Sequence, residues 1–457
     1  MKNLLVIVII LSMHSNSYAQ SNTVTTPAGQ IHLFEDNGVM RATNVPYARA
    51  GRFEKPVPIE KYDSPLNAYE PSPACPQTEK PLFSMMFGIE PLDMQEQSED
   101  CLNLSVTRPN NDLDKLPVMI WIHGGSYISG AGDAVIFDPK LLVKEQDVIV
   151  VNVTYRLGLL GFLGGYNNIP ANLGYLDILE SIKWVNNNIS AFGGDPKNIT
   201  LFGQSAGGEA IAQMMLIEES KGLFQNVIIQ SAPLGLIFER GDMINDMVKV
   251  AREIPAQAEI DTILKRQEEV LAAAKEYGLK AGMPFGNQYG VYPFPEESQV
   301  QAIWKERARE VNILIGYTQE ETSFFIPHMP ALRKYTEFPI IGGLLNKILI
   351  SSTSKKVYKK AANEFAKNCA VEGNNVYRYE ITWGSDTNGY GATHTIDLPL
   401  LFGDSALWKD AKLVEGISAE EISRSQKEVR ALWARFATTG TIDQKGAVRD
   451  VLKYKKI

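Results

Sequence analysis

Ser205 stands in Gly203-Gln204-Ser205-Ala206-Gly207, a G-x-S-x-G run entered from Ile199-Thr200-Leu201-Phe202 and left through Gly208 into Glu209-Ala210-Ile211-Ala212-Gln213-Met214-Met215. A short run of strand formers, a glycine-rich turn and a helix-forming run make an elbow. Such an elbow strains the serine backbone and projects its hydroxyl at the end of a sheet. The chemistry it suits is nucleophilic attack on an acyl carbon. Ordinary glycine-rich turns can contain the same five residues, so the reading depends on partners. An acyl-transfer serine requires a base, a carboxylate to orient that base, and donors for the oxyanion.

The five histidines reduce the search for a base. His14 lies in an N-terminal leader and His32 in a predicted hairpin. His123 ends an apolar run and enters Gly124-Gly125-Ser126-Tyr127, a turn suited to presenting backbone N–H groups. His328, in Pro327-His328-Met329-Pro330, follows too closely on the candidate acid to occupy a separate loop. His394 remains, in the loop from Gly391 to Gly403 that follows a strand-like run at 376–381. The acid is expected between Ser205 and His394 at the carboxyl end of a strand, where Gln319-Glu320-Glu321-Thr322-Ser323 offers two adjacent carboxylates. Residue type alone leaves Glu320 and Glu321 equivalent.

The elements that must carry these residues are legible as runs. Leu116 to Ile122 and Val148 to Val153 are apolar without alternation, as strands buried on both faces are. Similar runs lie at 199–202, 226–230, 311–316 and 376–381. Helical spacing separates them, clearest at 173–187, where Leu176, Leu179, Ile182 and Val185 recur. Alternating strands and helices predict an α/β fold, a mainly parallel twisted sheet with helices on both faces. Residues 30–42 read as a hairpin around Asn37-Gly38, and 46–91 as a long irregular crossing. Residues 234–311, including the helical stretch 260–277, read as a cap-like insertion over the active-site end of one domain spanning 20–457. A helix over 419–438 is expected to stop at Gly440.

Composition bounds the rest. The 457 residues are 44% hydrophobic and 21% charged, enough apolar content for a large core. A net charge of -8 without a basic cluster excludes a nucleic-acid footprint. Lys2, the apolar run Leu4 to Leu11 and the small-x-small end Ser17-Tyr18-Ala19 read as a secretory signal over 1–19. That run falls short of the ~20 residues that span a bilayer, so no transmembrane anchor is expected after its removal. The expected destination is the periplasm or the medium. Cys75, Cys101 and Cys369 show no zinc spacing, and no metal or other cofactor is expected. In an oxidising compartment the nearer pair could close one loop worth about 3–4 kcal/mol, leaving Cys369 as a buried helical thiol.

Several further motifs carry a resemblance. They include Asn44-Val45-Pro46-Tyr47-Ala48 with Arg52-Phe53, Ser98-Glu99-Asp100-Cys101-Leu102-Asn103-Leu104, and Tyr155-Arg156-Leu157-Gly158 with Gly161-Phe162-Leu163. Phe192-Gly193-Gly194-Asp195-Pro196 joins them. With His123-Gly124-Gly125 and 203–208, the chain resembles the type-B carboxylesterase and cholinesterase family of α/β-hydrolases. The resemblance implies a serine carboxylesterase acting on a small-molecule ester through Ser205, His394 and a glutamate. That glutamate is Glu321, because the family's acid precedes a small residue, a serine and two phenylalanines. The resemblance also implies oxyanion donors at the N–H groups of Gly125, Ser126 and Ala206, a disulfide between Cys75 and Cys101, and a serine at Ser231 near the acid. Ser126, Gln204 and Thr322 depart from the family's usual glycine or alanine, glutamate and glycine. The loop from Cys75 to Cys101 lacks tryptophan, so a choline-binding aromatic wall is not expected, and Phe83, Met85, Met86 and Phe87 suggest an apolar rim. A non-catalytic recognition protein on the same fold is the competing class, and an amidase or lactone hydrolase a variant of the same chemistry. The oligomeric state is left open.

Overall fold

The computed structural model describes residues 22–78, 81–93, 95–329 and 342–457; the leader at 1–19 lies outside the described residues. The chain begins with β1 (Asn22–Thr26), β2 (Gly29–Asp36) and β3 (Val39–Pro46), antiparallel to one another, with Asn37-Gly38 making the β2–β3 turn at positive φ. The irregular crossing contains three two-residue strands, β4 (Ala48–Arg49), β5 (Val57–Pro58) and β6 (Leu66–Asn67), and a short helix, Pro81–Phe87. The later strands are β7 (Asn103–Pro109), β8 (Leu116–Ile122), β9 (Ile149–Val153), β10 (Gly194–Gln204), β11 (Asn226–Gln230) and β12 (Asn312–Thr318). They continue with β13 (Val376–Ile381), β14 (Lys445–Val448) and β15 (Leu452–Lys456).

Among the described residues these strands build a 13-stranded sheet in the order β1-β2-β3-β7-β9-β8-β10-β11-β12-β13-β15-β14, with β6 against β2. The six strands from β9 to β13 are parallel. Both flanks are antiparallel, so the expected parallel sheet forms the middle of a larger mixed one. The cause is local: short turns such as those after β2 and β14 permit only antiparallel neighbours, whereas the middle strands are joined by helical crossovers.

The middle strands have no polar face because each lies between two helical layers. Val118, Ile120 and Ile122 of β8 enter one core and Met119 and Trp121 the other. The first core takes Ile178, Ile182 and Val185 from the helix Leu173–Asn188. The second takes Val429, Trp433 and Phe436 from the helix Ala419–Thr439, which Ser418 caps by accepting from the Glu421 N–H and Gly440 ends at φ 67°. Between β11 and β12 lie the helices Gly241–Ala251, Ile260–Ala273 and Val300–Arg307. Between β12 and β13 lies a second helical excursion, of which the sequence reading anticipated only the helix that carries Cys369. It consists of Gly342–Ser354, a π-helical turn Lys355–Lys359, and Lys360–Cys369.

Candidate active site

β10 ends at Gln204 and the helix Ala206–Met214 follows after a single residue, so the whole reversal falls on Ser205, at φ 58° and ψ -124°. Its N–H still donates to the Gln230 carbonyl at 2.8 Å, which extends the β10–β11 ladder by one rung and anchors the strained residue. The elbow closes only because Gly207 is bare: a Cβ there would sit 1.9 Å from the Ile122 carbonyl oxygen. Ser205 is thereby held at the carboxyl end of the parallel strands, at the start of a helix.

Two loops meet it. His394 Nε2 lies 2.9 Å from Ser205 Oγ, and His394 Nδ1 lies 2.5 Å from Glu321 Oε2. Glu321 is fully buried, and its other oxygen accepts the Thr318 N–H at 2.9 Å. The backbone of His394 donates to the Glu321 carbonyl at 3.1 Å, which stitches the two loops together. The adjacent carboxylates are used differently: Glu320 turns outward and accepts the Ala392 N–H at 3.0 Å, holding the histidine loop from outside. Gln204 Nε2 reaches the same imidazole nitrogen as Ser205, at 3.2 Å. Phe325 and Tyr358 flank the ring, with centroids 5.6 and 5.0 Å away.

The turn after β8 supplies the third side. Gly125, Ser126 and Tyr127 all have positive φ, and the Gly125 carbonyl accepts from the N–H groups of Ile128 and Ser129. Gly125 permits this, since a Cβ there would lie 2.0 Å from the Ser129 carbonyl oxygen. His123 is fully buried, stacks on Tyr155 at 4.3 Å and donates from Nδ1 to the Gly124 carbonyl at 2.8 Å. Burial pushes its imidazole down to about 4, so it is a neutral structural group. His32 bonds Thr23 Oγ1, and His328 bonds the Phe324 carbonyl. Ser231 is buried at positive φ with its N–H on the Gly316 carbonyl.

The three sides enclose a cavity of about 360 Å³ that contains Gly124, Gly125, Ser126, Ser205 and His394. Its walls are mostly apolar: Phe83 and Phe87 line it, whereas Met86 is packed beneath Thr395 and Met85 points to solvent. Leu236, Leu279 and Met283 reach it from the stretch between β11 and β12, and Val357 and Tyr358 from the excursion before β13. Those last two escaped the sequence reading because a π-turn aims them inward, out of step with α-helical spacing. Cys75 and Cys101 are joined, with S–S 2.01 Å. Beside them Gln77 exchanges two hydrogen bonds with the backbone of Gly130, tying the disulfide loop to the turn after β8. Cys369 is a buried free thiol at the end of its helix. Among the described residues no cluster of three His, Cys, Asp or Glu side chains is arranged to hold a metal ion. No helix among them is long and apolar enough to cross a membrane.

Comparison with known proteins agrees with this architecture. The profile described as "Carboxylesterase family" matches residues 20–338. A Rhodococcus erythropolis protein described as "Probable N-octanoylanthranilate hydrolase AqdA2" is 36% identical over 428 residues, covering 92% of this chain and 93% of that protein. The para-nitrobenzyl esterase of Bacillus subtilis is 30% identical over 460 residues, covering 91% and 90%. A solved structure titled as a thermophilic PNB esterase superposes with TM-score 0.72 at 29% identity, covering 93% of this chain and 92% of its own. Another PNB esterase structure gives TM-score 0.74 at 26% identity, covering 95% and 97%. With a family match over most of its length and relatives aligned end to end, the chain belongs to the carboxylesterase family and is a carboxylic ester hydrolase of the α/β-hydrolase fold.

Proposed function

We propose that the protein is an exported serine carboxylesterase for apolar esters, with Ser205 as nucleophile, His394 as general base and acid, and Glu321 as the carboxylate that orients His394. The observation that carries this reading is the unbroken path from Ser205 Oγ through both nitrogens of His394 to Glu321. His394 takes the Ser205 proton as Oγ attacks the ester carbonyl, and the imidazolium formed is stabilised by Glu321. The N–H groups of Gly125, Ser126 and Ala206 receive the oxyanion, each such donor being typically worth about 3 kcal/mol in the transition state. Collapse transfers the proton to the departing alcohol, and water, activated by His394 in turn, releases the acid from the acyl-enzyme. The apolar cavity walls favour hydrocarbon groups on the ester. Export is supported by the signal pattern at 1–19 and by the Cys75–Cys101 disulfide.

The test is Ser205→Ala. Hydrolysis of an activated short-chain ester is expected to fall by about four orders of magnitude or more, with the circular dichroism spectrum unchanged. Undiminished turnover by the folded variant would refute the assignment.

A further inference from the structure

Beneath the turn after β8 lies a buried polar cluster to which the reaction above assigns no part. Glu209, four residues beyond Ser205 on the helix Ala206–Met214, is 0% exposed. Its Oε2 meets the hydroxyls of Tyr127 and Tyr175, the latter at 3.0 Å, and its Oε1 accepts from Gln213 Nε2 at 2.5 Å. Tyr127 directly follows Ser126, and its hydroxyl also lies 2.8 Å from the Ala206 carbonyl oxygen. A single side chain of the turn thus spans to the first residue of the helix and to a carboxyl group one turn further along.

We propose that Glu209, acting through Tyr127, is a positioning residue for the oxyanion site, fixing the turn that carries the Gly125 and Ser126 N–H groups against the helix start that carries the Ala206 N–H. The proposal rests on the oxyanion assignment made above. The need is geometric: the donors come from two separate elements, after β8 and after β10, yet all must point at one oxygen within about 3 Å. Tyr127 is clamped for this purpose, stacked on Phe162 at 4.1 Å as well as bonded at its tip.

The proton count identifies the form of the carboxyl. Tyr127 has one hydroxyl proton and two close oxygen neighbours, the Ala206 carbonyl and Glu209, with the Tyr175 hydroxyl farther off at 3.2 Å. Were Glu209 ionised, one of those close oxygen pairs would face each other without a proton, in the interior. With the proton on Glu209, the acid donates to the Tyr127 oxygen, Tyr127 donates to the Ala206 carbonyl, and Tyr175 donates to Glu209. The close contacts of Tyr127 and the Tyr175–Glu209 contact are then filled, and only the longer approach of the two tyrosine hydroxyls, at 3.2 Å, is left without a proton. Burial raises this carboxyl, in the same direction. Arg240, the cation that acts on it through space, directs its Nη1 and Nη2 groups to the backbone carbonyls of Leu236, Met283 and Pro284 instead. Tyr155 and Tyr289 are the other titratable neighbours that feel its charge.

The experiment uses the whole protein and four variants: Glu209→Leu, Tyr127→Phe, the two combined, and Glu209→Gln. Active sites are counted with a fluorophosphonate, and kcat per labelled site and KM are measured on one chromogenic ester. The leucine and phenylalanine variants are each expected to lose about tenfold in kcat with KM within about twofold, since a small misplacement of donors weakens the transition state more than the bound substrate. The combined variant is expected to be no worse than either, because both cut one tie. Glutamine is expected to restore kcat to within about threefold, its amide N–H replacing the acid proton as donor to Tyr127. Unchanged kcat per site in the leucine and phenylalanine variants, or effects that multiply in the combination, would overturn the proposal while leaving the triad intact. Loss of labelled sites at constant kcat per site would also overturn it, by reducing Glu209 to a packing residue. Failure of the unaltered protein to label would remove the triad reading and this one with it.

Discussion

At the scale of the residue, the site shows how far side-chain type and order carry and where three-dimensional detail takes over. Asp397 illustrates the second. Three residues beyond His394, it is fully buried, accepts from Gln230 Nε2 at 2.6 Å through Oδ2, and has no partner for Oδ1. Burial pushes its carboxyl up to about 6, against the opposing pull of the Gln230 bond and the His394 charge, with Glu321 adding to the rise. The native state therefore holds the Asp397 proton more tightly than the unfolded chain does. This stability is fully present below about pH 4 and is lost as pH rises through about 6. Asp397→Asn is expected to abolish that loss, making the variant more stable than the parent at pH 8 by on the order of 2–3 kcal/mol but not at pH 4. Parallel denaturant titrations at the two pH values check this, and an equal difference at both would contradict it. Ser205 and His394 were legible as candidates because a motif and a short histidine inventory single them out. Glu320 and Glu321 were not separable by residue type, since the inward and outward carboxylates differ only in how the turn after β12 is wound. Glu209 was hidden by its apparent normality as an acidic residue in the first turn of a helix.

At the scale of the element, the strands declared themselves because burial on both faces leaves an unbroken apolar run, which no amphipathic helix mimics. The wall before β13 did not. Its helix Gly342–Ser354 exposes Leu344 and Ile348 while facing Ile350 and Ser354 inward, so its apolar period is blurred in the sequence. This wall is joined to the acid loop by Thr322, whose N–H reaches Ser354 Oγ at 3.2 Å and whose Oγ1 lies 2.6 Å from Thr353 Oγ1. A residue noticed only as a departure from its family thus fastens the element that carries Val357 and Tyr358 into the cavity. Thr322→Val keeps the shape and removes the hydroxyl. The expected cost is about 1–2 kcal/mol of stability, read from the denaturation midpoint, because Thr353 and Ser354 lose a buried partner. No change in midpoint would show that the wall is held by packing alone.

At the scale of the whole molecule, the sheet keeps the expected parallel middle and is extended at its edges by antiparallel strands. The helical stretch between β11 and β12 was legible as an insertion, but the crossing from 46 to 91 gave no hint of its short strands. Such pairs are specified by long-range partners rather than by local pattern. The Cys75–Cys101 bridge closes a loop of sequence separation 26. Replacing both cysteines with alanine is expected to cost about 3 kcal/mol in unfolding free energy. Thiol titration of the protein is expected to find no reactive thiol when native and one, Cys369, when denatured; three on denaturation would mean the bridge is not formed.

The hydrogen bond between Ser205 and His394 joins residues 189 apart, and the strand that leads to the histidine loop is itself paired with β15, at 452–456. On the proposed assignment nucleophile, acid and base emerge from the ribosome in that order, each after a later strand. A growing chain therefore holds a serine without its base through much of its synthesis. Hydrolytic competence arrives as one of the last events of assembly, which makes turnover a measure of completed folding rather than of any single part.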